Sequence, residues 1–247
     1  MECSTKIMDG IPIIECAPEP SIPYQGVFFF VHGHTCSKEL WYFGSLAERI
    51  CKMGFRIVSI DAYKHGQRIE EPYLSKDPIA MTEAMISVIL KTSNELRDLY
   101  EKHYRKMGGK LGILGISMGG HIAYQMVKRL PHIDILIPLI GAPDIRRHYY
   151  DSKIELLGKE RLNKLEPFFE EAEIPYRDFA HVENGLMMVG ANDHVVLPDN
   201  SKDYFQMYLK PNFAQLTLQT YPVGHEVTKD MENEIERYLK NDVLKQE

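Results

Sequence analysis

Short apolar segments alternate with amphipathic segments along most of the chain. Each apolar run has the length of a strand, and the amphipathic segments repeat their apolar residues at helical spacing. The strand-like runs are residues 26–31, 55–60, 110–114, 133–140, 186–189 and 216–221, and the helix-like segments are residues 37–53, 77–99, 120–127, 199–209 and 226–239. This alternation predicts an α/β fold with a mostly parallel sheet that is covered by helices on both faces.

The amino-terminal segment has a different pattern, which indicates an antiparallel hairpin. Asp9-Gly10 lies between two apolar-rich runs, and this dipeptide favours a two-residue turn. With that turn, Cys3 faces Cys16 at a non-hydrogen-bonded position, where we expect the two Cα atoms to lie within about 7 Å. The same register places on one face, expected to be buried, Cys3, Thr5, Ile7, Pro12, Ile14 and Cys16.

Residues 144–183 interrupt the alternation, because they contain no strand-like run and are rich in charge. Their aromatic residues include Tyr149, Tyr150, Phe168, Phe169 and Tyr176. The segment is interpreted as a helical cap insertion whose aromatic rings roof a pocket at the carboxyl ends of the strands. A long surface excursion of ordinary helices is the alternative. No repeat or linker is visible, so residues 1–247 are interpreted as a single domain.

Composition narrows the classes of protein to which the chain can belong. The net charge is −6 with a pI near 5.9, and no basic stripe is visible, which argues against nucleic-acid binding. The amino terminus lacks the pattern of a signal peptide, and no apolar run is long enough to span a bilayer, so the protein is predicted to be cytoplasmic. The four cysteines have no Cys-x-x-Cys spacing, and reduced thiols are expected in that compartment.

The sequence Gly115-Ile116-Ser117-Met118-Gly119 carries the most informative chemistry. It joins a predicted strand to a predicted helix, and a serine at such a sharp turn is lifted clear of the backbone between crowded glycines. A serine hydroxyl is a weak nucleophile unless a neighbouring base removes its proton and a third group orients that base. The partners are therefore expected at the ends of later strands.

Two residues at later strand ends fit these roles. Asp193 follows the strand-like run 186–189, and His225 follows the run 216–221. The chain order Ser117, Asp193, His225 is the order expected for a nucleophile, acid and base in this architecture. Asp144 also follows a strand and is an alternative acid. His32-Gly33-His34 has the form of a metal-binding pair, but no later His and Asp set completes a site, so no metal is predicted.

These motifs together resemble the α/β-hydrolase superfamily over nearly the whole chain. Residues 115–119 match its nucleophile elbow, and Asp193 and Gly224-His225 match its acid and its terminal G-H motif. The segment 29–35 resembles the strand-end H-G motif, which implies that the backbone N–H groups of His34 and Met118 form the oxyanion hole. Residues 61–66 resemble the D-x-x-G-H-G loop of the family, with lysine where a glycine is usual.

Segments 34–39 and 65–68 narrow the resemblance to small bacterial serine esterases related to cinnamoyl-ester and dienelactone-type hydrolases. The resemblance implies a serine carboxylesterase that cleaves small or medium acyl esters through an acyl-enzyme intermediate, without a cofactor. A serine peptidase or amidase on short acyl-peptides is the alternative, and a non-catalytic binding protein on the same scaffold is a third hypothesis. Candidate pocket residues are Trp41, Tyr42 and Tyr63. The oligomeric state cannot be predicted from the sequence.

Overall fold

A single sheet dominates the fold of the protein. The computed structural model describes residues 1–40, 42–69 and 77–245, excluding the side chains of residues 42–45. Within these residues, eight strands pair in the order β1-β2-β4-β3-β5-β6-β7-β8. The strands are β1 Glu2–Met8, β2 Ile11–Ala17, β3 Gly26–Val31, β4 Phe55–Ile60, β5 Lys110–Ile116, β6 Ile133–Leu139, β7 Val182–Gly190 and β8 Leu216–Tyr221. All pairs from β4 to β8 are parallel, whereas β1 and β2 form an antiparallel hairpin at one edge.

Helices cover both faces of this sheet, as predicted. They are α1 Tyr42–Lys52, α2 Pro78–Leu99, α3 Met118–Met126, α4 Ile145–Leu157, α5 Lys159–Leu162, α6 Glu166–Ala172, α7 Pro198–Tyr204 and α8 Lys229–Tyr238. Along β3, Val27, Phe29 and Val31 belong to one apolar core, and Phe28 and Phe30 belong to the other. The uninterrupted apolar run of this strand therefore reflects burial on both faces.

The helix boundaries follow local capping chemistry more closely than apolar spacing. The side chain of Asp77 accepts a hydrogen bond from the backbone N–H of Ile79 at 3.2 Å, and Pro78 occupies the first helical position, so the predicted start of α2 is confirmed. Helix α8 begins at Lys229 with Thr228 as its N-cap, three residues later than predicted. Helix α1 begins at Tyr42 instead of residue 37, because a turn closed by the Leu40 N–H on the Ser37 carbonyl precedes it.

Within the predicted insertion of residues 144–183, helices and short turns extend to residue 181, and β7 begins at Val182. The segment is held against α3 and the turn that follows it by side chains that bond its backbone. Gln125 Nε2 donates to the Ala172 carbonyl at 2.6 Å, and Lys128 Nζ donates to the carbonyls of Glu171 and Glu173 at 2.8 and 2.7 Å. No helix among the described residues combines the length and apolar character needed to cross a membrane.

The amino-terminal hairpin has the predicted turn and register. Asp9 and Gly10 both have positive φ angles, 50° and 81°, as a turn of this type requires. Cys3 pairs with Cys16, and their Cα atoms are 4.0 Å apart, which confirms the predicted proximity. The two sulfur atoms form a disulfide, so the expectation of free thiols is wrong for this pair. Cys36 and Cys51 are free.

The prediction of a buried hairpin face is wrong along β1. Cys3 and Thr5 are exposed, and Ile7 is 71% exposed. Within the part of the chain that the structure describes, β1 is an edge strand paired with β2 alone, which leaves that face open along its length. On the opposite face, Ile11 and Ile13 are buried in the core.

Candidate active site

Ser117 lies at the sharp turn between β5 and α3. Its backbone has φ 56° and ψ −114°, a left-handed conformation that a non-glycine residue rarely adopts. A Cβ atom at Gly119 would overlap the Val31 carbonyl, and one at Gly115 would overlap the Gly119 carbonyl. The two glycines of the motif are therefore required by the close approach of neighbouring backbone segments.

The three residues predicted from strand ends form one hydrogen-bonded chain. His225 Nε2 is 2.8 Å from Ser117 Oγ, and His225 Nδ1 is 2.7 Å from Asp193 Oδ2. Because a carboxylate only accepts, Nδ1 carries the proton and Nε2 of the neutral ring accepts from the serine hydroxyl. This is the arrangement in which an imidazole can remove the serine proton.

Asp193 is held in place by its own loop. The residue is 2% exposed, and its Oδ1 accepts hydrogen bonds from the backbone N–H groups of Val195 and Val196 at 2.8 and 3.0 Å. Burial acts to raise the pKa of this carboxyl, but the hydrogen bond from His225 and the two backbone donors outweigh it, and the net pKa is lowered. Asp193 is therefore ionised at neutral pH.

Asp144, the alternative acid, has a different position. It is the N-cap of α4, where its Oδ1 accepts from the Arg147 N–H at 2.9 Å. Its backbone carbonyl accepts from Asn200 Nδ2 at 2.8 Å, which ties the start of the insertion to α7. The imidazole of His225 is bonded by Asp193 instead.

The loop after β3 borders Ser117 and is anchored to the loop after β4. An ideal Cβ at Gly33 would lie 3.6 Å from Ser117 Cβ, so the backbone passes close to the serine. His32 is fully buried, and its Nε2 accepts from the Ala62 N–H at 3.1 Å. His65 Nε2 and His34 Nδ1 are 3.4 Å apart. The histidines of the H-x-H pair therefore link the two loops.

A buried ion pair strengthens this connection and was missed in the sequence. Lys38 Nζ is 3.1 Å from Asp61 Oδ2, and both side chains are inaccessible to solvent. Asp61 also accepts from the backbone N–H groups of Lys38 and Gln67, at 2.8 and 3.0 Å. In the sequence, the signal for this ion pair was Asp61, the first residue of the 61–66 motif. Lys64, which replaces the usual glycine of that motif, adopts a glycine-like φ of 57°.

A pocket of about 300 Å³ opens beside Ser117. Its described lining residues are Gly33, His34, Cys36, Leu40, Ile116, Ser117, Ile140, Val195, His225, Glu226 and Val227. Of the predicted aromatic residues, Trp41 lies outside the described residues, and Tyr42 begins α1 with a side chain that is not described. The ring of Tyr63 instead packs under Lys91 Nζ, 3.6 Å from the ring centroid.

The aromatic residues of the insertion surround a different cavity. Phe169 and Tyr176 line a space of about 540 Å³ together with Tyr204 and Tyr208 of the α7 region. Tyr149 is buried in the core beside Phe169. Tyr176 stacks on Tyr208 with ring centroids 5.5 Å apart, and the described lining of the pocket beside Ser117 contains none of these aromatic residues.

The described residues contain one cluster with metal-ligand spacing, formed by His132, Asp134 and Glu183. It lies at the amino-terminal ends of β6 and β7, whereas Ser117 follows the carboxyl end of β5. Lys110 Nζ is 3.8 Å from Asp134, which places a competing cation beside these groups.

Buried histidines predict that the protein loses stability in mild acid. Burial lowers the pKa of His32 and of His121 to about 4, and that of His148 well below its ordinary value. Between pH 6.5 and pH 4 the unfolded chain therefore binds protons that the folded chain does not. The free energy of unfolding has its full value above pH 6.5, and His32 and His121 should each lower it by about 3 kcal/mol at pH 4.

Urea unfolding at pH values from 7.5 to 4.5 measures this loss. Replacing His121 with Gln should flatten the profile, whereas replacing the exposed His181 with Gln should leave it unchanged. A free energy of unfolding that stays constant across the range would contradict the prediction.

The fold and the hydrogen-bonded Ser117, His225 and Asp193 define an α/β-hydrolase architecture. The model of the dienelactone hydrolase family matches residues 39–246, and the chain belongs to that family. The chain is 26% identical over 151 residues to YitV of Bacillus subtilis (strain 168), a protein whose name describes it as an inferred esterase. That alignment covers 58% of this chain and 56% of YitV, so the chain spans little more than half of this curated relative.

Solved structures support the fold. TT1662 from Thermus thermophilus superposes with a TM-score of 0.74 at 20% identity, covering 98% of both chains. Est1E from Butyrivibrio proteoclasticus superposes with a TM-score of 0.68 at 16% identity, covering 100% of this chain and 99% of the Est1E chain. Acetyl xylan esterase 1 from Thermoanaerobacterium sp. superposes with a TM-score of 0.65 at 15% identity, covering 96% of this chain and 82% of the esterase chain. At such low identity these similarities establish the fold alone.

Proposed function

We propose that this protein is a serine carboxylesterase that cleaves small or medium acyl esters through an acyl-enzyme intermediate. The observation that carries the proposal is the chain of hydrogen bonds from Ser117 through His225 to Asp193. Membership of the dienelactone hydrolase family and the similarity to YitV support it. The substrate is a small-molecule ester, and the residues of the chain supply the chemistry without a cofactor.

In this proposal the reaction has two similar halves, the acylation of Ser117 and the hydrolysis of the acyl-enzyme. His225 Nε2 removes the Ser117 proton as Oγ attacks the ester carbonyl, and the same nitrogen then protonates the departing alcohol. In the second half, His225 Nε2 removes a proton from water as the water oxygen attacks the acyl carbonyl, and it returns that proton to Ser117 Oγ as the bond to the acyl group breaks and the carboxylic acid leaves. Asp193 holds the Nδ1 proton in place and stabilises the imidazolium that forms in each half.

The oxyanion donors in this proposal are the backbone N–H groups of His34 and Met118. Met118 is the first residue of α3, and the first N–H groups of a helix have no partner within the helix. The segment with His34 passes beside Ser117 and is anchored through His32 and the Lys38–Asp61 pair. A rigidly held donor stabilises developing charge without the cost of reorganisation.

We propose that residues 1–247 form one domain with residues 144–183 as its cap insertion. The bonds from Gln125 and Lys128 to the backbone of the insertion support this division. The location in the cytoplasm and the absence of nucleic-acid partners remain predictions from the sequence.

A fluorophosphonate probe tests the mechanism, because it reacts with an activated serine. We expect one covalent adduct on Ser117 and a parallel loss of turnover in a panel of esters, thioesters and amides. Ser4, exposed on β1, provides the matched control, since Ser4→Ala should leave both labelling and turnover intact. An unlabelled protein would support a non-catalytic role, and efficient turnover of short acyl-peptide amides beside that of esters would support the peptidase alternative.

Pocket size predicts the preferred acyl length. A pocket of about 300 Å³ encloses a short chain, and further methylenes left in water contribute no burial energy. In a p-nitrophenyl ester series from acetate to palmitate, kcat/KM should therefore peak at short chains and decline towards long ones. A maximum at palmitate would indicate an open groove instead.

A further inference from the structure

The pocket beside Ser117 has an unusual balance of charge. Its described lining contains one acidic residue, the exposed Glu226, and no lysine or arginine. His34, a possible cation, has a pKa that is lowered by burial and by the neighbouring His65, so its ring is neutral at pH 7. The described wall therefore offers a negative charge and no permanent positive one.

Much of the remaining described wall is apolar. Leu40, Ile140, Val195 and Val227 all line the pocket, and Val195 is 57% exposed at the protein surface. An anion that enters an apolar site without a cationic partner loses hydration that nothing replaces. A neutral chain of the same shape gains from the same transfer.

We propose that this pocket selects uncharged acyl groups and rejects acyl groups that carry a carboxylate, with Glu226 as a specificity-determining residue. The proposal rests on the esterase function proposed above. Glu226 directly follows His225, so its carboxylate lies in the segment that carries the catalytic base. Repulsion from Glu226 adds to the desolvation of an anionic acyl group, and the two effects act on the same substrates.

Two esters with the same leaving group separate these effects. In p-nitrophenyl hexanoate the acyl chain ends in a methyl group, whereas in mono-p-nitrophenyl adipate a carboxylate takes the place of that methyl. After subtraction of hydrolysis without enzyme, we expect kcat/KM for hexanoate to exceed that for adipate by on the order of 100-fold.

Substitution then isolates the contribution of Glu226. Glu226→Gln should reduce the hexanoate-to-adipate ratio by roughly 3- to 10-fold, because it removes the repulsion and keeps the shape of the side chain. Added salt should reduce the ratio in the native protein and have less effect on it in the variant, because screening acts on the exposed charge. Glu160→Gln, which removes an exposed charge on α5, is the matched control and should leave the ratio unchanged.

The outcomes distinguish this inference from the proposed function. If neither ester is hydrolysed, the esterase function itself is wrong. If both are hydrolysed with similar kcat/KM, the function stands and charge selection is refuted. A large ratio that is the same in Glu226→Gln as in the native protein would refute the role of Glu226.

Discussion

Replacing Ser117 with alanine is expected to lower kcat for an ester by a factor on the order of 10⁴ to 10⁶. The side chain removed is the one that His225 Nε2 contacts at 2.8 Å, so the substitution deletes the proposed nucleophile. His225→Ala should cost a similar factor, and the double variant should cost little more than either single change, because the residues act as a unit.

Steady-state kinetics with a p-nitrophenyl ester measure these losses, with Ser4→Ala as the control. Circular dichroism and thermal unfolding establish that each variant is folded. Retention of more than a few per cent of native turnover by folded Ser117→Ala would show that another group performs the chemistry.

Replacing Asp193 with asparagine is expected to lower kcat by on the order of 10⁴, because the amide stabilises the wrong tautomer of His225. The carboxylate accepts the Nδ1 proton at 2.7 Å, and an Asn side chain can instead donate to that nitrogen. The proton would then reside on Nε2, which could no longer accept from Ser117.

Asp144→Asn is the matched comparison, since Asp144 caps α4 at the end of a neighbouring strand. Asparagine is also a good N-cap, so this variant should remain folded and lose little activity. A larger loss of kcat in Asp144→Asn than in Asp193→Asn would transfer the role of the acid to the earlier strand.

Local patterns were sufficient to predict the sheet, the elbow and the strand-end positions of Asp193 and His225. Parallel strands bring their carboxyl ends to one edge, so residues far apart in sequence converge there without any prediction of side-chain contacts. The bounds of β7 show where this reasoning stops. The strand begins at Val182 instead of Leu186, because Val182 and Asn184 pair with β6 through the backbone although Glu183 and Asn184 have polar side chains.

Long-range side-chain relations could not be predicted in the same way. The buried Lys38–Asp61 pair joins two loops whose approach depends on the whole sheet, and a lysine in a polar stretch gives no sign of burial. The prediction that the face of β1 with Cys3, Thr5 and Ile7 is buried was wrong for a related reason. Alternation of side chains along a strand gives two faces, but the packing of the rest of the fold decides which one is covered.

The Cys3–Cys16 disulfide changes how the edge of the sheet can open. Among the described strands, β1 pairs with β2 alone, and an edge strand of this kind ordinarily frays by itself. With the covalent link, β1 can leave the protein only together with β2, whose Ile13 is fully buried. The exchange of β1 amide hydrogens with solvent is therefore coupled to the opening of a core strand, and reduction of the disulfide releases β1 to exchange independently.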